Sequence, residues 1–263
     1  MRDRICTYVI AYAPMSHAEW DAGSYDAISA PQQLWGSAVV QRLALEGDET
    51  VLDAGAGTGR VTEMLLDRLP RGRVIAVDRS KAMADTARER LPADRVTVIH
   101  SDLLALELAE PVDAIVSTAT FHWILDHDAL FARMRACLRT GGQFVAQCGG
   151  EGNIRQVRAA GEELGPPFAE HLATLPPTWN YPSPLETRER LERAGFAVDA
   201  CWLEPSPQIP PSPREFLGTV LFRVHVAHLP PELREPFLDA VMERLGDPPV
   251  LDYVRLNWDA RAR

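Results

Sequence analysis

A glycine-rich turn, placed between a short apolar segment and a helical one, most constrains how this chain folds. Residues 50–55 read TVLDAG, which is typical of a buried parallel strand that ends in a turn. Glycines stand at positions 55, 57 and 59, where the backbone can turn tightly and approach a ligand closely. The helix that we predict next points its N-terminal N–H groups at that ligand. The sequence therefore predicts a strand–turn–helix ligand site.

Strands and helices alternate on both sides of this turn. Further strands are predicted at 73–78, 95–102, 112–118, 141–148, 195–204 and 250–260. Helices are predicted at 36–47, 60–69, 81–91 and 127–138, and outside that alternation at 151–192 (interrupted by prolines), 213–228 and 230–246. The alternation indicates an α/β fold with a parallel sheet and helices on both faces.

The acidic residues around the turn indicate which ligand it binds. Asp78 ends the second strand, nineteen residues after Gly59, where its carboxylate can accept hydrogen bonds from both ribose hydroxyls of a nucleoside. A dinucleotide fingerprint would need a glycine at Arg60. Asp53 would repel a pyrophosphate but favours the ammonium and sulfonium of S-adenosylmethionine. We therefore favour S-adenosylmethionine over a dinucleotide.

Two later strand ends supply further candidates. We expect Asp102 to accept a hydrogen bond from the adenine amino group while Leu103 packs against the ring, the alternative being that Asp102 caps a helix over 102–108. The segment STATFHW (117–123) borders the ligand crevice, because strand carboxyl ends face it in open α/β sheets. His122 is a candidate catalytic base, the alternative being a hydrogen-bonded packing residue.

Composition narrows the function classes. The 263-residue chain carries a formal net charge of −10, and its basic residues are interleaved with acidic ones, which disfavours nucleic-acid binding. No apolar run approaches the ~20 residues that a membrane-spanning helix needs. Its four cysteines form no CxxC pair, so we expect neither a disulfide scaffold nor a metal site. We expect a cytoplasmic protein, either a monomer or a homodimer.

These motifs resemble the class I S-adenosylmethionine-dependent methyltransferases, and specifically the trans-aconitate methyltransferase-like branch. The closer match lies in Glu19-Trp20-Asp21 with Tyr25, in residues 121–142, and in two helices before the tail VRLNWDARAR. The resemblance covers about residues 16–263 and leaves 1–15 as an N-terminal extension. It implies a Rossmann-like sheet of seven strands, the last antiparallel, with a helical cap formed by about 151–192 and 213–246. Ala56 replaces the cysteine that is common in the family's glycine motif.

The resemblance also implies the cofactor, S-adenosyl-L-methionine, with S-adenosyl-L-homocysteine as product. Gly55 and Gly57 would hold the methionine moiety, and Asp78 the ribose. Asp53 would orient the turn and the ammonium. The entry segment would close over the cofactor as a lid. The full set assigned to the cofactor is Trp20, Tyr25, Asp53, Gly55, Gly57, Asp78, Arg79, Asp102, Leu103, Thr118 and Ala119.

We expect the methyl group to be transferred to a small molecule, at a carboxylate or hydroxyl oxygen, and a trans-aconitate-like acid belongs to this class. The cap segments offer cationic or hydroxyl groups for binding it: Arg155, Arg158, Tyr181, Arg214, Arg223 and His225. Two alternatives stay open. One is a non-catalytic module that binds S-adenosylmethionine and acts through a protein partner. The other is a dinucleotide-dependent oxidoreductase, which Asp53 and Arg60 disfavour.

Overall fold

The computed structural model describes residues 30–263, with side chains from residue 35 onward. Seven strands form one sheet: β1 Thr50–Ala54, β2 Arg73–Asp78, β3 Val96–His100, β4 Val112–Thr118, β5 Leu138–Gly149, β6 Phe196–Pro205 and β7 Val254–Ala262. Their spatial order is β3-β2-β1-β4-β5-β7-β6. Strands β1 to β5 are parallel, and β7 runs antiparallel between β5 and β6. The expected seven-stranded, mostly parallel sheet is confirmed.

Ten α-helices connect these strands within the described chain. They are α1 Ala30–Arg42, α2 Arg60–Arg68, α3 Lys81–Arg90, α4 His127–Cys137, α5 Arg155–Glu162, α6 Phe168–Leu172, α7 Pro184–Arg193, α8 Pro213–Phe216, α9 Arg223–His228 and α10 Pro231–Leu245. Short 3₁₀ turns lie at Leu103–Ala105 and Phe121–Trp123, and a π-helical turn at Leu217–Leu221. None of these helices in residues 30–263 has the length and apolarity to cross a bilayer.

Alternating residues of the central strands divide the core between the two faces of the sheet. Leu52, Ile115 and Phe144 belong to one buried cluster, which α4 and α7 cover. Their sequence neighbours belong to a second cluster, which α1, α2 and α3 cover. This is the period of two expected of strands that are buried on both sides.

The remaining helices form a cap with a core of its own. Residues from α5, the π-helical turn and α10 pack together in a third buried cluster, which also includes Trp35 of α1 and Tyr253. The predicted cap segment 151–192 is therefore divided, because Leu191 of α7 packs in the sheet layer instead. Residues 213–228, predicted as one helix, are α8, the π-helical turn and α9.

Several predicted boundaries are wrong. The first helix spans Ala30–Arg42 rather than 36–47. Strand β5 begins at Leu138 rather than at 141, because Leu138 pairs with Val112 at the start of β4. The last strand begins at Val254 rather than at 250, because Leu251 forms an isolated bridge with Gln208. Residues 1–15, predicted to be an extension, lie outside the described residues.

Substitution of Phe144 by alanine should destabilise the fold by about 3–5 kcal/mol, because it removes a buried ring and leaves a cavity in its place. The ring is fully buried, with its centroid 5.5 Å from that of Trp258 and 5.2 Å from that of Phe196. Urea unfolding measures the change. Leu185→Ala is the control, since Leu185 is 65% exposed, and its effect should stay within about 0.5 kcal/mol. Equal effects would contradict this account of the core.

Candidate active site

A deep cleft opens at the carboxyl ends of β1, β2 and β4, where the strand order places the start of α2. Its volume is about 1050 Å³ when its open mouth is included. A small-molecule ligand fits such a space. The lining residues are Gly55, Ala56, Gly57, Thr58, Arg60, Val61, Asp78, Arg79, Met83, Asp102, Leu103, Thr118, Ala119, Thr120, Trp123 and Ile124.

The glycine turn forms one wall of the cleft, and Gly55 and Gly57 have different structural roles in it. Gly55 adopts φ +84°, and a Cβ there would lie 2.2 Å from the Thr120 side chain. Gly57 adopts φ +57°, and a Cβ there would meet no atom within 4 Å. Gly55 therefore allows the turn to pack against the end of β4, whereas Gly57 leaves open space on the cleft side.

The Asp78 carboxylate fixes this turn to the end of β2. One oxygen, Oδ2, accepts a hydrogen bond from the Gly57 N–H at 2.9 Å, and Oδ1 accepts one from the Ser80 N–H at 2.8 Å. Burial raises the pKa of Asp78, although both backbone hydrogen bonds act in the opposite direction. A half-buried carboxylate with lone pairs left over is suited to accept hydrogen bonds from ribose hydroxyls.

Asp53 lies under the turn and is not among the residues lining the cleft. Its Oδ2 accepts a hydrogen bond from the Thr62 hydroxyl at 2.7 Å, while Oδ1 finds no donor in the described chain. Burial raises the pKa of Asp53 to about 7. Such an orphaned, buried acceptor is suited to a cationic ligand group above the turn.

The other side of the cleft carries the candidates from β3 and β4. Asp102 caps the 3₁₀ turn by accepting a hydrogen bond from the Leu104 N–H at 2.8 Å, and it also lines the cleft with the buried Leu103. Thr118 and Ala119 line the cleft opposite, with Ala119 at φ +54°. A positive φ at a residue other than glycine is strained, and such strain is concentrated at functional sites.

A smaller cavity lies behind the cleft, and we call it the chamber. It shares Ala119 and Trp123 with the cleft, so the two cavities adjoin. Its volume is about 370 Å³ with its opening included. The lining residues are Trp35, Ala119, His122, Trp123, Asn153, Tyr181, Val220, Leu221, Tyr253 and Arg255.

His122 lines the chamber as a neutral side chain. Burial, followed by the nearby Arg255, lowers the pKa of His122 well below its usual value. Its Nδ1 faces the Gly149 N–H at 3.3 Å and accepts a hydrogen bond from it, which leaves the proton of the neutral ring on Nε2. This tautomer presents a hydrogen-bond donor, so the geometry does not favour the predicted role as a base.

Arg255 is the chamber residue that the sequence analysis missed. It lies on β7, is 1% exposed, and its guanidinium carbon is 4.2 Å from the centroid of the Trp35 ring. Its Nε donates a hydrogen bond to the side-chain oxygen of Gln147 at 3.3 Å. The one available signal was that Arg255 is the single basic residue of the predicted strand 250–260.

The other predicted binding groups are dispersed. Tyr181 lines the chamber, where burial raises the pKa of its hydroxyl. Arg155 is exposed, and Arg214 pairs with Glu235 and Asp239 at 2.7 and 2.8 Å on the outside of the cap. Arg158 and His225 line a separate groove. Burial, followed by repulsion from Arg79, lowers the pKa of Arg223. Trp20 and Tyr25 lie outside the described residues.

The chemistry of the cleft fits S-adenosylmethionine. The Asp78 carboxylate and the apolar side of the cleft at Leu103 suit a nucleoside. The buried Asp53 carboxyl group suits the positively charged amino acid end, and the open space at Gly57 leaves room for it. In the described part of the chain, no group of three or more His, Cys, Asp or Glu residues could hold a metal ion.

Comparison with known proteins also indicates a methyltransferase. A family model described as a methyltransferase domain matches residues 51–142. Trans-aconitate 2-methyltransferase of Acidovorax ebreus (strain TPSY) is 30% identical over 129 residues, and the match covers 49% of this chain and 49% of that protein. The chain thus spans about half the length of this relative. Malonyl-(acyl-carrier protein) O-methyltransferase of Geobacter sulfurreducens is 31% identical over 209 residues, which cover 76% of this chain and 75% of that protein.

A solved structure shows the same fold. Phosphoethanolamine N-methyltransferase 2 of Haemonchus contortus, in complex with S-adenosyl-L-methionine, superposes with a TM-score of 0.60. The two sequences are 20% identical, and the superposition covers 92% of this chain and 56% of that chain.

The pKa of Asp53 predicts how stability changes with pH. Because the folded state keeps this proton up to about pH 7 while an ordinary Asp loses it near pH 3.8, stability falls as pH rises between those values. The full change is at most about 4 kcal/mol. Asp53→Asn should remove this dependence, as measured by urea unfolding across that range. Parallel pH profiles for wild type and variant would contradict the assignment.

Proposed function

Because the chain belongs to the class I S-adenosylmethionine-dependent methyltransferases, we propose that it transfers a methyl group to a carboxylate oxygen of a small-molecule acid. The adjoining cleft and chamber support this proposal, since they offer one space for a cofactor and another for an acceptor. The bound cofactor supplies a methyl group on a positively charged sulfur atom. The trans-aconitate methyltransferases and the malonyl-(acyl-carrier protein) O-methyltransferase among the relatives agree with an acidic acceptor.

In this proposal the cleft residues bind and orient the cofactor. The Asp78 carboxylate accepts the ribose hydroxyls, Leu103 packs against adenine, and Gly57 allows the backbone to approach the methionine moiety. Asp53 stabilises the ammonium from beneath the turn through its orphaned oxygen. Ala119 and Trp123, which border both cavities, set where cofactor and acceptor meet.

The buried Arg255 is the observation that carries the choice of a carboxylate acceptor. A guanidinium binds a carboxylate through two parallel N–H···O bonds, and this geometry gives both strength and direction. The stacked Trp35 ring holds the guanidinium plane in one orientation. The protonated Nε2 of His122 offers a further donor in the same chamber. An acid bound there presents an oxygen that is already anionic.

Such a transfer needs positioning more than proton chemistry. A carboxylate oxygen attacks without losing a proton, so the neutral His122 is adequate as a donor and no base is required. Holding the acceptor oxygen in line with the methyl group can lower the barrier by roughly 7–11 kcal/mol. The rigid chamber walls and the strained backbone at Ala119 provide this positioning.

Loss of the Asp78 carboxylate should weaken cofactor binding strongly. Calorimetry with S-adenosylhomocysteine should show an affinity for Asp78→Asn at least about a hundredfold weaker than wild type, because two ribose hydroxyls lose a charged acceptor. Asp85→Asn is the matched control, since Asp85 lies on the exposed face of α3 and pairs with Lys81. Unchanged affinity in Asp78→Asn would contradict the cofactor site.

Arg255→Met should raise the KM for acid acceptors at least about tenfold, since the bidentate charged contact is lost. The measurement is release of S-adenosylhomocysteine with a panel of small carboxylic acids that includes trans-aconitate, beside hydroxylated aromatics and amines. S-adenosylhomocysteine affinity reports whether the variant still folds, and Arg214→Met on the outer cap is the matched control. Preference for amines, or cofactor binding with no turnover on any class, would instead favour another acceptor or the non-catalytic module.

A further inference from the structure

A second opening, the cap groove, lies on the outside of the helical cap between α5 and α6. Its volume is about 860 Å³ with its mouth included, more than twice that of the chamber. Nine of its thirteen lining residues are apolar or glycine, and the four polar ones are Arg158, Glu162, Thr178 and His225. The lining residues are Arg158, Gly161, Glu162, Leu164, Ala169, Leu172, Ala173, Leu175, Pro176, Pro177, Thr178, Trp179 and His225.

Two stacked rings, Trp179 and Tyr181, lie between the cap groove and the chamber. Trp179 lines the groove and stacks on Tyr181 of the chamber wall, with ring centroids 6.1 Å apart and planes at 12°. On its other side it stacks on His225 of the groove wall at 5.5 Å. Its centroid is also 6.2 Å from that of Trp123, which borders the cofactor cleft. Trp179 therefore stands where the three cavities come closest together.

Ring contacts, rather than hydrogen bonds, hold Trp179 in this position. Its indole N–H is buried and finds no acceptor among the residues that the structure describes. Nδ1 of the adjacent His225 is likewise buried without a partner there. A buried polar group left unpaired destabilises a conformation by about 1–3 kcal/mol. Moving the Trp179 ring aside therefore breaks no hydrogen bond of its side chain among the described residues.

The sizes of the cavities indicate why such a displacement is useful. The chamber lies near the lower limit of about 300 Å³ for small-molecule pockets, so it holds an acid group and little more. A longer acceptor with its carboxylate at Arg255 must extend past Tyr181 and Trp179. The apolar groove lies directly behind them, and it suits a hydrocarbon chain rather than a second set of carboxylates.

From this arrangement we propose that Trp179 is a gate and that the cap groove binds the apolar tail of the acceptor. The acceptor is then a carboxylic acid with an extended hydrocarbon chain, not a compact polycarboxylate. Its carboxylate lies at Arg255, its chain displaces the Trp179 ring, and Leu164, Leu172 and Leu175 cover the tail. This inference rests on the proposed methyl transfer to a carboxylate and specifies the substrate class of that site.

Acceptor chain length tests the proposal directly. Butanoate, octanoate and dodecanoate are compared as acceptors in wild type and in Ala173→Arg, which places a long side chain in the groove from an exposed position. In wild type, KM should fall at least about tenfold from butanoate to octanoate, because added methylenes become buried. Ala173→Arg should remove that gain and leave butanoate unchanged. Ala129→Arg, at an exposed position on α4, is the matched control and should behave as wild type.

Two further results separate this inference from the proposed function. Wild-type turnover that does not vary with chain length, or an equal loss for all three acids in Ala173→Arg, would overturn the groove as a tail site while leaving carboxylate methylation intact. If none of the three acids is methylated, binding of dodecanoate is followed by calorimetry in the presence of S-adenosylhomocysteine. Binding that Ala173→Arg weakens and Ala129→Arg does not would uphold the tail site, and absence of binding would overturn it. Trp179→Phe, which keeps a ring but removes the N–H, should retain the chain-length preference.

Discussion

The two hydrogen bonds that the Asp78 carboxylate accepts are the contact on which the rest of the site depends. They join the backbone of the glycine turn to the end of β2 at 2.9 and 2.8 Å. The glycine turn also packs against the end of β4. This is possible because Gly55 has no side chain, so the Thr120 side chain lies directly against the Gly55 backbone. Three strand ends are thereby held at fixed separations around one cleft. The ligand site is accordingly part of the sheet and not a loop added to it.

The part of the fold that could be predicted from sequence is the part governed by local chemistry. Strand β4 has the bounds predicted for it, 112–118, and α2 begins one residue after the last glycine of the turn. The cleft gathers Gly57, Asp78 and Leu103 because parallel strands end at the same edge. The cap was less predictable, since the π-helical turn and the placement of α7 are decided by packing between distant segments.

Arg255 illustrates what sequence reasoning could not reach. The cations predicted to bind the acceptor lie on the cap segments, where Arg214 is paired with Glu235 and Asp239. Arg255 belongs instead to β7, which carries it into the interior beside Trp35 and Gln147. The helices that cover a sheet decide which face of a strand borders a cavity. A short-range sequence pattern does not contain this information. His122 was found by its position after β4, but its tautomer depends on the distant Gly149 N–H.

The position of β7 between β5 and β6 has a consequence for how the protein is made. Strand β6 is synthesised before β7, yet in the folded sheet β6 forms hydrogen bonds only with β7. Until β7 emerges, β6 is a strand with both edges unsatisfied and β5 keeps an open edge of its own. The nascent chain therefore carries three unpaired strand edges while the whole α8–α10 region is synthesised. Translation speed and chaperone access over that interval should govern yield more than the stability of the finished protein does.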